Sequence, residues 1–177
     1  MVDMVKRRSG LLVPAALALA GGRFHGKLIR AGRVIDEFEQ KNLIVNQGLD
    51  YLVNSAFGLV QQIPTWYLAP FTSNYTPVGT DTAASIPGNA GEATTYTSPT
   101  RLPFTPVEVN QQATNAAAPC TFTFNAKTNV YGAFLISSPG QGSTAGTLMA
   151  AAQFASLKSP DPNDELVLTY TFGLASA

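Results

Sequence analysis

The sequence predicts a mainly β protein, an antiparallel β-sandwich or jelly roll with one short α-helix and an N-terminal arm. Four segments after Pro119 carry the alternating or continuous apolar patterns of strands, and turn-forming residues separate them. Several short strands at such spacing favour two packed antiparallel sheets. Residues 47–57 have the periodicity of an amphipathic helix. We therefore expect an arm at 1–22 and one sandwich domain at 23–177.

Residues 24–40 have the pattern of a β-hairpin. The dipeptide Ala31-Gly32 supplies the turn, because glycine tolerates the positive φ that tight hairpins need. Basic residues precede this turn and acidic residues follow it, so we expect ion pairs across the two strands.

The helix is predicted at 47–57. Asn46 has a side chain suited to an N-cap, and Gly58 is a natural C-terminal stop. The apolar residues of this segment share one helical face: Leu49, Leu52, Val53, Ala56 and Phe57. We expect this stripe to be buried against the sheets.

The remaining segments alternate between strands and loops. We predict strands at 65–69 and 104–109 and at four later segments: 120–125, 130–136, 148–154 and 165–172. Pro103 and Pro106 place the segment 104–109 at a sheet edge. The run 72–100 is rich in Thr, Ser, Ala, Gly, Pro and Asn, and we expect a surface excursion with a short strand near 94–97. A polar connection is predicted at 111–119.

The composition indicates that partner chains cover part of the surface. Hydrophobic residues make up 45% of the 177 residues and charged residues only 12%, which is about half the usual charged share. So little charge covers a free surface poorly. The formal net charge is zero, which gives no electrostatic basis for binding nucleic acid. Cys120 is the single cysteine, so no internal disulfide forms, and we predict that it is a small buried hydrophobe.

No residue pattern predicts a catalytic, cofactor or metal site, and we expect no enzyme activity. His25 is the only histidine, and no nucleophile lies near it in the sequence. The glycine-rich segment 140–146 lacks the spacing of a nucleotide-binding loop.

Two further kinds of site are alternatives to a purely structural interpretation. Oxygen ligands for calcium cluster at Asp161, Asn163, Asp164 and Glu165, although the prolines around them indicate a stiff turn. Aromatic residues that could line a sugar-binding face are Trp66, Tyr67, Phe71 and Tyr75, although aromatic residues in strands are more often core.

The N-terminal segment combines basic and apolar residues in the order of a secretory signal, which is one interpretation. The apolar run 11–20 is too short to span a bilayer and contains Pro14. We favour a retained arm that docks on a neighbouring subunit. The residues predicted to contact that partner are Lys6, Arg7, Arg8, Leu11, Leu12 and Val13.

The order of several short motifs resembles that of a known family. The motifs are NLIVNQGLDYL at 42–52, WYL at 66–68, NYTP at 74–77, DTAA at 81–84, FTFNA at 122–126, YGAFL at 131–135, GTL at 146–148 and DEL at 164–166. From about Gly22 onward this pattern looks like that of small virion-associated structural proteins of tailed bacteriophages.

The resemblance implies a structural role without catalytic residues. Within a phage particle we favour a capsid decoration (cement) protein that binds the major capsid protein or other virion subunits and is itself oligomeric in the particle, because a compact β-sandwich with low charge and an extended arm suits clamping neighbouring capsid subunits. The protein would then be located in the virion, which is assembled in the host cytoplasm. It would have no specific nucleic acid and no membrane as a partner. A tail or neck component is the alternative within phages. A secreted carbohydrate-binding module is the alternative from a different class, because it uses the same sandwich architecture.

Overall fold

The computed structural model describes residues 4–6, 12–14 and 19–175, and it confirms a mainly β protein with antiparallel sheets. Among these residues there is one α-helix, α1 (Asn46–Ala56), and one π-helical turn (Pro87–Gly91). The strands are β1 (Met4–Lys6), β2 (Leu12–Pro14), β3 (Leu19–Arg30), β4 (Arg33–Lys41), β5 (Leu43–Ile44), β6 (Trp66–Phe71), β7 (Leu102–Phe104), β8 (Val107–Val109), β9 (Gln112–Thr114), β10 (Cys120–Thr123), β11 (Val130–Ile136), β12 (Leu148–Lys158) and β13 (Glu165–Ala175).

Two sheets form the sandwich. The first has the strand order β4-β3-β13-β9-β8, and β10 also pairs with β13. The second has the order β5-β12-β11-β6-β7. Strands β1 and β2 pair with each other in a separate two-stranded sheet.

The main core lies between the two sheets. The first sheet contributes Phe24 and Tyr170, and the second contributes Leu68 and Phe154. Cys120 lies in the same core, and burial raises the pKa of its thiol to about 12. The prediction that this cysteine behaves as a buried hydrophobe is confirmed.

The excursion 72–100 forms a third layer rather than a surface loop. Its residues Ala83, Ile86 and Ala90 are buried against the outer face of the second sheet. Strand β11 is therefore covered on both faces, which explains why its sequence is apolar almost throughout. In place of the strand predicted near 94–97, Tyr96 makes an isolated bridge to Phe124.

Two buried carboxylates hold this third layer. Asp81 accepts hydrogen bonds from the Tyr75 hydroxyl and the Val78 amide, both at 2.9 Å. Glu92 pairs with Arg101 at 2.7 Å, and their side chains are 2% and 0% exposed. Buried polar groups with full sets of partners fix one arrangement of a loop, so the excursion is ordered by specific bonds as well as by packing.

The first hairpin begins earlier than predicted. Residues 19–22, which the prediction assigned to the arm, pair with the end of β13 and belong to the sheet. The turn is as predicted, with positive φ at both Ala31 and Gly32. The expected cross-strand ion pairs are confirmed, for example between Arg23 and Glu39 at 2.9 Å.

The region around Pro106 differs from the prediction. The segment 104–109 is not one strand, because β7 joins the second sheet and β8 joins the first. A proline between them cannot donate to a ladder, which favours the change of sheet. Both strands lie at sheet edges, as predicted. The connection predicted at 111–119 contains β9.

Candidate docking surface

The orientation of α1 is set by Gly48. A β-carbon at this position would overlap the carbonyl oxygen of Met149 in β12, so only glycine lets the helix sit this close to the strand. Gln47 fixes the same turn, since its side-chain oxygen accepts the amides of Ala83 and Leu148 at 2.9 and 2.8 Å. The helix therefore presents Gly48 inward, and Tyr51 and Leu52 pack against the core.

This orientation overturns the predicted buried stripe. Of its five residues only Leu52 packs against the core, and Leu49, Val53, Ala56 and Phe57 are exposed. The predicted N-cap is also wrong: Val45 holds that position with no side-chain bond, and the Asn46 amide donates to the carbonyl of Gly79 at 2.8 Å.

The C-terminal end of α1 is closed by the predicted glycine. Gly58 has a φ of +68°, and the Leu59 amide donates to the Asn54 carbonyl at 2.8 Å while the Gly58 amide donates to that of Ser55 at 3.2 Å. This is a Schellman motif, in which an apolar residue at the Leu59 position commonly contacts the residue at the Asn54 position. Because that residue is polar here, Leu59 stays 70% exposed.

The result is a continuous stretch of chain with large exposed apolar side chains, which we call the α1 face. It consists of Leu49 (40% exposed), Val53 (58%), Phe57 (78%), Leu59 (70%) and Val60 (42%). Single exposed apolar residues are ordinary, whereas large contiguous apolar patches are typical of interaction surfaces, so this group is the candidate docking surface. The sequence pattern did not single out Leu59 and Val60. Two signals were present: a glycine inside the helix, which indicates a close contact on that face, and a polar residue one turn before Gly58, which leaves Leu59 without an apolar contact.

A cleft of about 370 Å³ borders the α1 face. It lies between the helix and the segment that returns to β6, and its lining includes Tyr51, Asn54, Val60 and Ile63. Among the described residues that line this cleft, Asp50 is the only charged one. The last turn of α1 carries no basic residue, so the partial negative charge of the helix C-terminus is not offset by a side chain there. The surface therefore suits a partner that is apolar and weakly basic.

The predicted arm contacts fall largely outside the described residues. Arg7, Arg8 and Leu11 are not described. The backbones of Lys6, Leu12 and Val13 belong to β1 and β2, where Lys6 is opposite Leu12 and Val5 is opposite Val13. The prediction that these residues contact a partner stays a prediction.

The other groups that the sequence singled out are engaged within the fold. His25 and Lys27 contact Glu37 at 2.9 and 3.3 Å, and the hydrogen bonds from Lys27 and then His25 hold the pKa of Glu37 below its ordinary value. Arg30 donates to both oxygens of Asp164 at 3.0 Å, so this carboxylate is bound by a cation of the chain itself. Among the described residues, no group of three or more His, Cys, Asp and Glu side chains is placed to hold a metal ion.

The aromatic residues around β6 are used in packing. Phe71 is fully buried, with Tyr67 and Tyr75 packed against the same cluster. Trp66 packs against the main core, and its ring lies 5.2 Å from that of Tyr51 between centroids. This arrangement differs from a sugar-binding platform, which needs exposed ring faces.

Searches against models of protein families, curated proteins and solved structures found no match to this chain. Within the described part of the chain, no helix is long and apolar enough to cross a membrane.

Proposed function

We propose that this chain is a non-enzymatic structural subunit of a tailed-bacteriophage particle. In that particle it acts as a capsid decoration protein that binds the major capsid protein or other virion subunits. The observation that carries the proposal is the α1 face, with its five large apolar side chains exposed in a single copy. Such a surface is stable when a neighbouring chain covers it.

The low charge of the chain points the same way. Only 12% of the residues are charged, and many of those in the described part pair with each other, as Lys158 does with Asp36 at 2.7 Å. Because such pairs leave few charges unpaired, much of the surface is uncharged. Burial of part of this surface in an assembly accounts for such a composition, and the motif resemblance supports a phage virion as that assembly.

The experiment is a binding assay with capsids assembled from the major capsid protein of the same genome. Full-length chain, a deletion of residues 1–18, and a Phe57→Ser variant are mixed with capsids and separated from them by sedimentation. We expect the full-length chain to sediment with capsids at a fixed stoichiometry, and both variants to bind at least about tenfold more weakly.

Two controls accompany this assay. The deletion stops before β3, so the melting temperature of the sandwich should stay almost unchanged. Isolated tails test the alternative location. Binding to tails but not to capsids would replace capsid decoration by a tail role, and binding to neither would reject the proposal.

A further inference from the structure

Strand β4 forms an open edge of the first sheet, because among the described strands it pairs with β3 alone. The Asn42 amide donates to the Gly22 carbonyl at 3.1 Å, which identifies residues 22 and 42 as a hydrogen-bonded pair of the two chains segments. Bonded pairs alternate along an antiparallel ladder, so Glu37, Glu39 and Lys41 direct their N–H and C=O groups away from β3. The side chains of these three residues are exposed on one face of the sheet. This edge can therefore bond a further strand.

The usable part of the edge is the segment 37–41. On its hairpin side the register with β3 shifts at Ile35, since Leu28 is opposite Asp36 whereas Ile29 is opposite Val34. A bulge of this kind changes the direction of the backbone groups, so a straight partner strand cannot continue past it. On the other side the chain leaves for β5 in the second sheet. Five residues remain, which span about 17 Å.

The charges along this segment are self-complementary. Glu37 and Lys41 have opposite signs and lie four residues apart on the same face. The ion pairs among the described residues include no partner for Lys41. Glu37 contacts His25 and Lys27 through Oε1, so its Oε2 faces no cation in those two pairs. Both charged groups can thus bind a second chain.

We propose that two copies of this chain pair through residues 37–41 of β4. The two segments run antiparallel and are related by a two-fold axis at Glu39. In this register Glu37 of each copy lies opposite Lys41 of the other copy, on the same face of the sheet. Three bonded residue pairs form, with about six backbone hydrogen bonds. The first sheets of the two copies then join into one continuous sheet.

Other two-fold registers along this edge are less favourable. An axis at residue 37, 38 or 41 places like charges opposite each other with no opposite pair in compensation. An axis at residue 40 pairs Glu39 with Lys41, but it leaves only two bonded residue pairs. In the proposed register Glu39 lies opposite its own copy. Arg23 is 2.9 Å from Glu39 within each chain and offsets that repulsion.

The other free edge of the first sheet lacks this complementarity. Charged residues commonly protect sheet edges against pairing. In β8 a two-fold pairing places Glu108 opposite itself, and the strand contains no basic residue to compensate. In β4, by contrast, the charges favour one register. The edge at β4 is therefore the one that suits a second copy.

Charge reversal in the full-length chain tests the pairing. In Glu37→Lys protein two like-charged pairs replace the two opposite pairs, and the same holds for Lys41→Glu. We expect each variant to self-associate at least about tenfold more weakly than the unmodified chain in sedimentation equilibrium. A chain with both substitutions has the net charge of the unmodified chain. We expect it to regain the dimer, because each lysine again lies opposite a glutamate.

The matched control is Glu108→Lys, the same change on the exposed edge strand β8, which should leave self-association unchanged. A double variant that associates no better than the single variants overturns the inference. So does an unmodified chain that stays monomeric at every concentration. The melting temperature of dilute protein identifies any variant that fails to fold, and cross-linking provides a second test with different substitutions.

A cysteine at the two-fold axis tests the register directly. Opposite residues of a bonded pair have α-carbons about 5.5 Å apart, which suits a disulfide. We therefore expect Glu39→Cys protein to form a cross-linked dimer on oxidation. Glu37→Cys is the matched control and should not cross-link, since its two copies lie more than about 13 Å apart in this register. The native Cys120 does not interfere, because it is buried and its thiol pKa is raised to about 12. Equal cross-linking of the two variants overturns the register.

This pairing is independent of the proposed function, because it uses no residue of the α1 face. Absence of pairing in protein that still sediments with capsids overturns the inference and leaves the proposed function standing. Pairing in protein that binds neither capsids nor tails supports the inference and rejects the proposed function.

Discussion

Replacing Glu92 with Gln breaks the ion pair that holds the third layer to the rest of the fold. Arg101 donates to both oxygens of Glu92 at 2.9 and 2.7 Å and to the carbonyls of Ser138 and Ser143 at 3.0 and 3.1 Å. The Gly142 amide also donates to Glu92, at 2.7 Å. The pair therefore links the excursion to the loop between β11 and β12.

The magnitude follows from the burial of both partners. The Arg101 side chain is 0% exposed, so the substitution leaves a charge without a counter-ion in the interior. Removing one partner of a buried pair costs about 3–5 kcal/mol. For a chain of this length, 1 kcal/mol corresponds to a shift of about 2–4 °C in melting temperature. We therefore expect Glu92→Gln to lower the melting temperature by roughly 6–20 °C.

Unfolding by heat and by urea, both followed by the fluorescence of Trp66, the single tryptophan, gives the melting temperature and the unfolding free energy. The matched control is Glu37→Gln, the same chemical change in an exposed cluster with Lys27 and His25, where water screens the pairs and their loss should change stability little. If the two substitutions lower the unfolding free energy equally, the Arg101–Glu92 pair does not secure the third layer and the reasoning fails.

Three further substitutions test the packing of α1 against the core and the ion pair of Asp164. Leu52→Asp should cost several kcal/mol of unfolding free energy by urea titration, about 2–4, whereas Val53→Asp, one residue further along the helix, should cost less than about 0.5. Gly48→Ala should cost about 1–3 kcal/mol in the same titration despite the better helix propensity of alanine, because its methyl group meets the Met149 carbonyl. The hydrogen bond from Arg30 and, against the cost of burial, that from the Asp161 amide hold the pKa of Asp164 below its ordinary value. Its contribution to stability is therefore complete above about pH 4 and is lost as the pH falls through the lowered value, so Asp164→Asn should flatten the acid limb of stability against pH.

Strands were predictable where only one face is buried, because apolar and polar residues then alternate along the sequence. Strand β13 alternates buried and half-exposed residues over Glu165–Tyr170, and its periodicity identified it directly. The turn at Ala31-Gly32 and the stop at Gly58 were predictable because each needs a positive φ that glycine supplies.

The third layer was not predictable from periodicity. The residues that bury the excursion are small, such as Ala83 and Ala90, and they are spaced irregularly between polar neighbours. Bonds to Asp81 and the Arg101–Glu92 pair hold this segment in one conformation, and these groups are distant in sequence from the surfaces they join. A composition typical of loops therefore concealed a packed segment.

The candidate site was missed for a related reason. Periodicity identified the helix but not which side faces the core, because the stripe from Leu49 to Phe57 contains all the large apolar residues of the helix except Tyr51. The actual contact face centres on Gly48, whose lack of a side chain gives no hydrophobic signal. An apolar stripe turned outward is a feature of chains that are completed by a partner.

Hydrogen–deuterium exchange on capsid-bound protein tests the claim that a partner chain covers the α1 face. Free and bound protein are labelled for the same times, digested, and compared over peptides that span Asn46 to Ile63, with peptides from β4 as the reference. We predict that amides of the 46–63 region exchange at least about tenfold more slowly in the bound state, while those of β4 near the hairpin turn are unchanged. Unchanged exchange over 46–63 in protein that is stably bound would contradict the account.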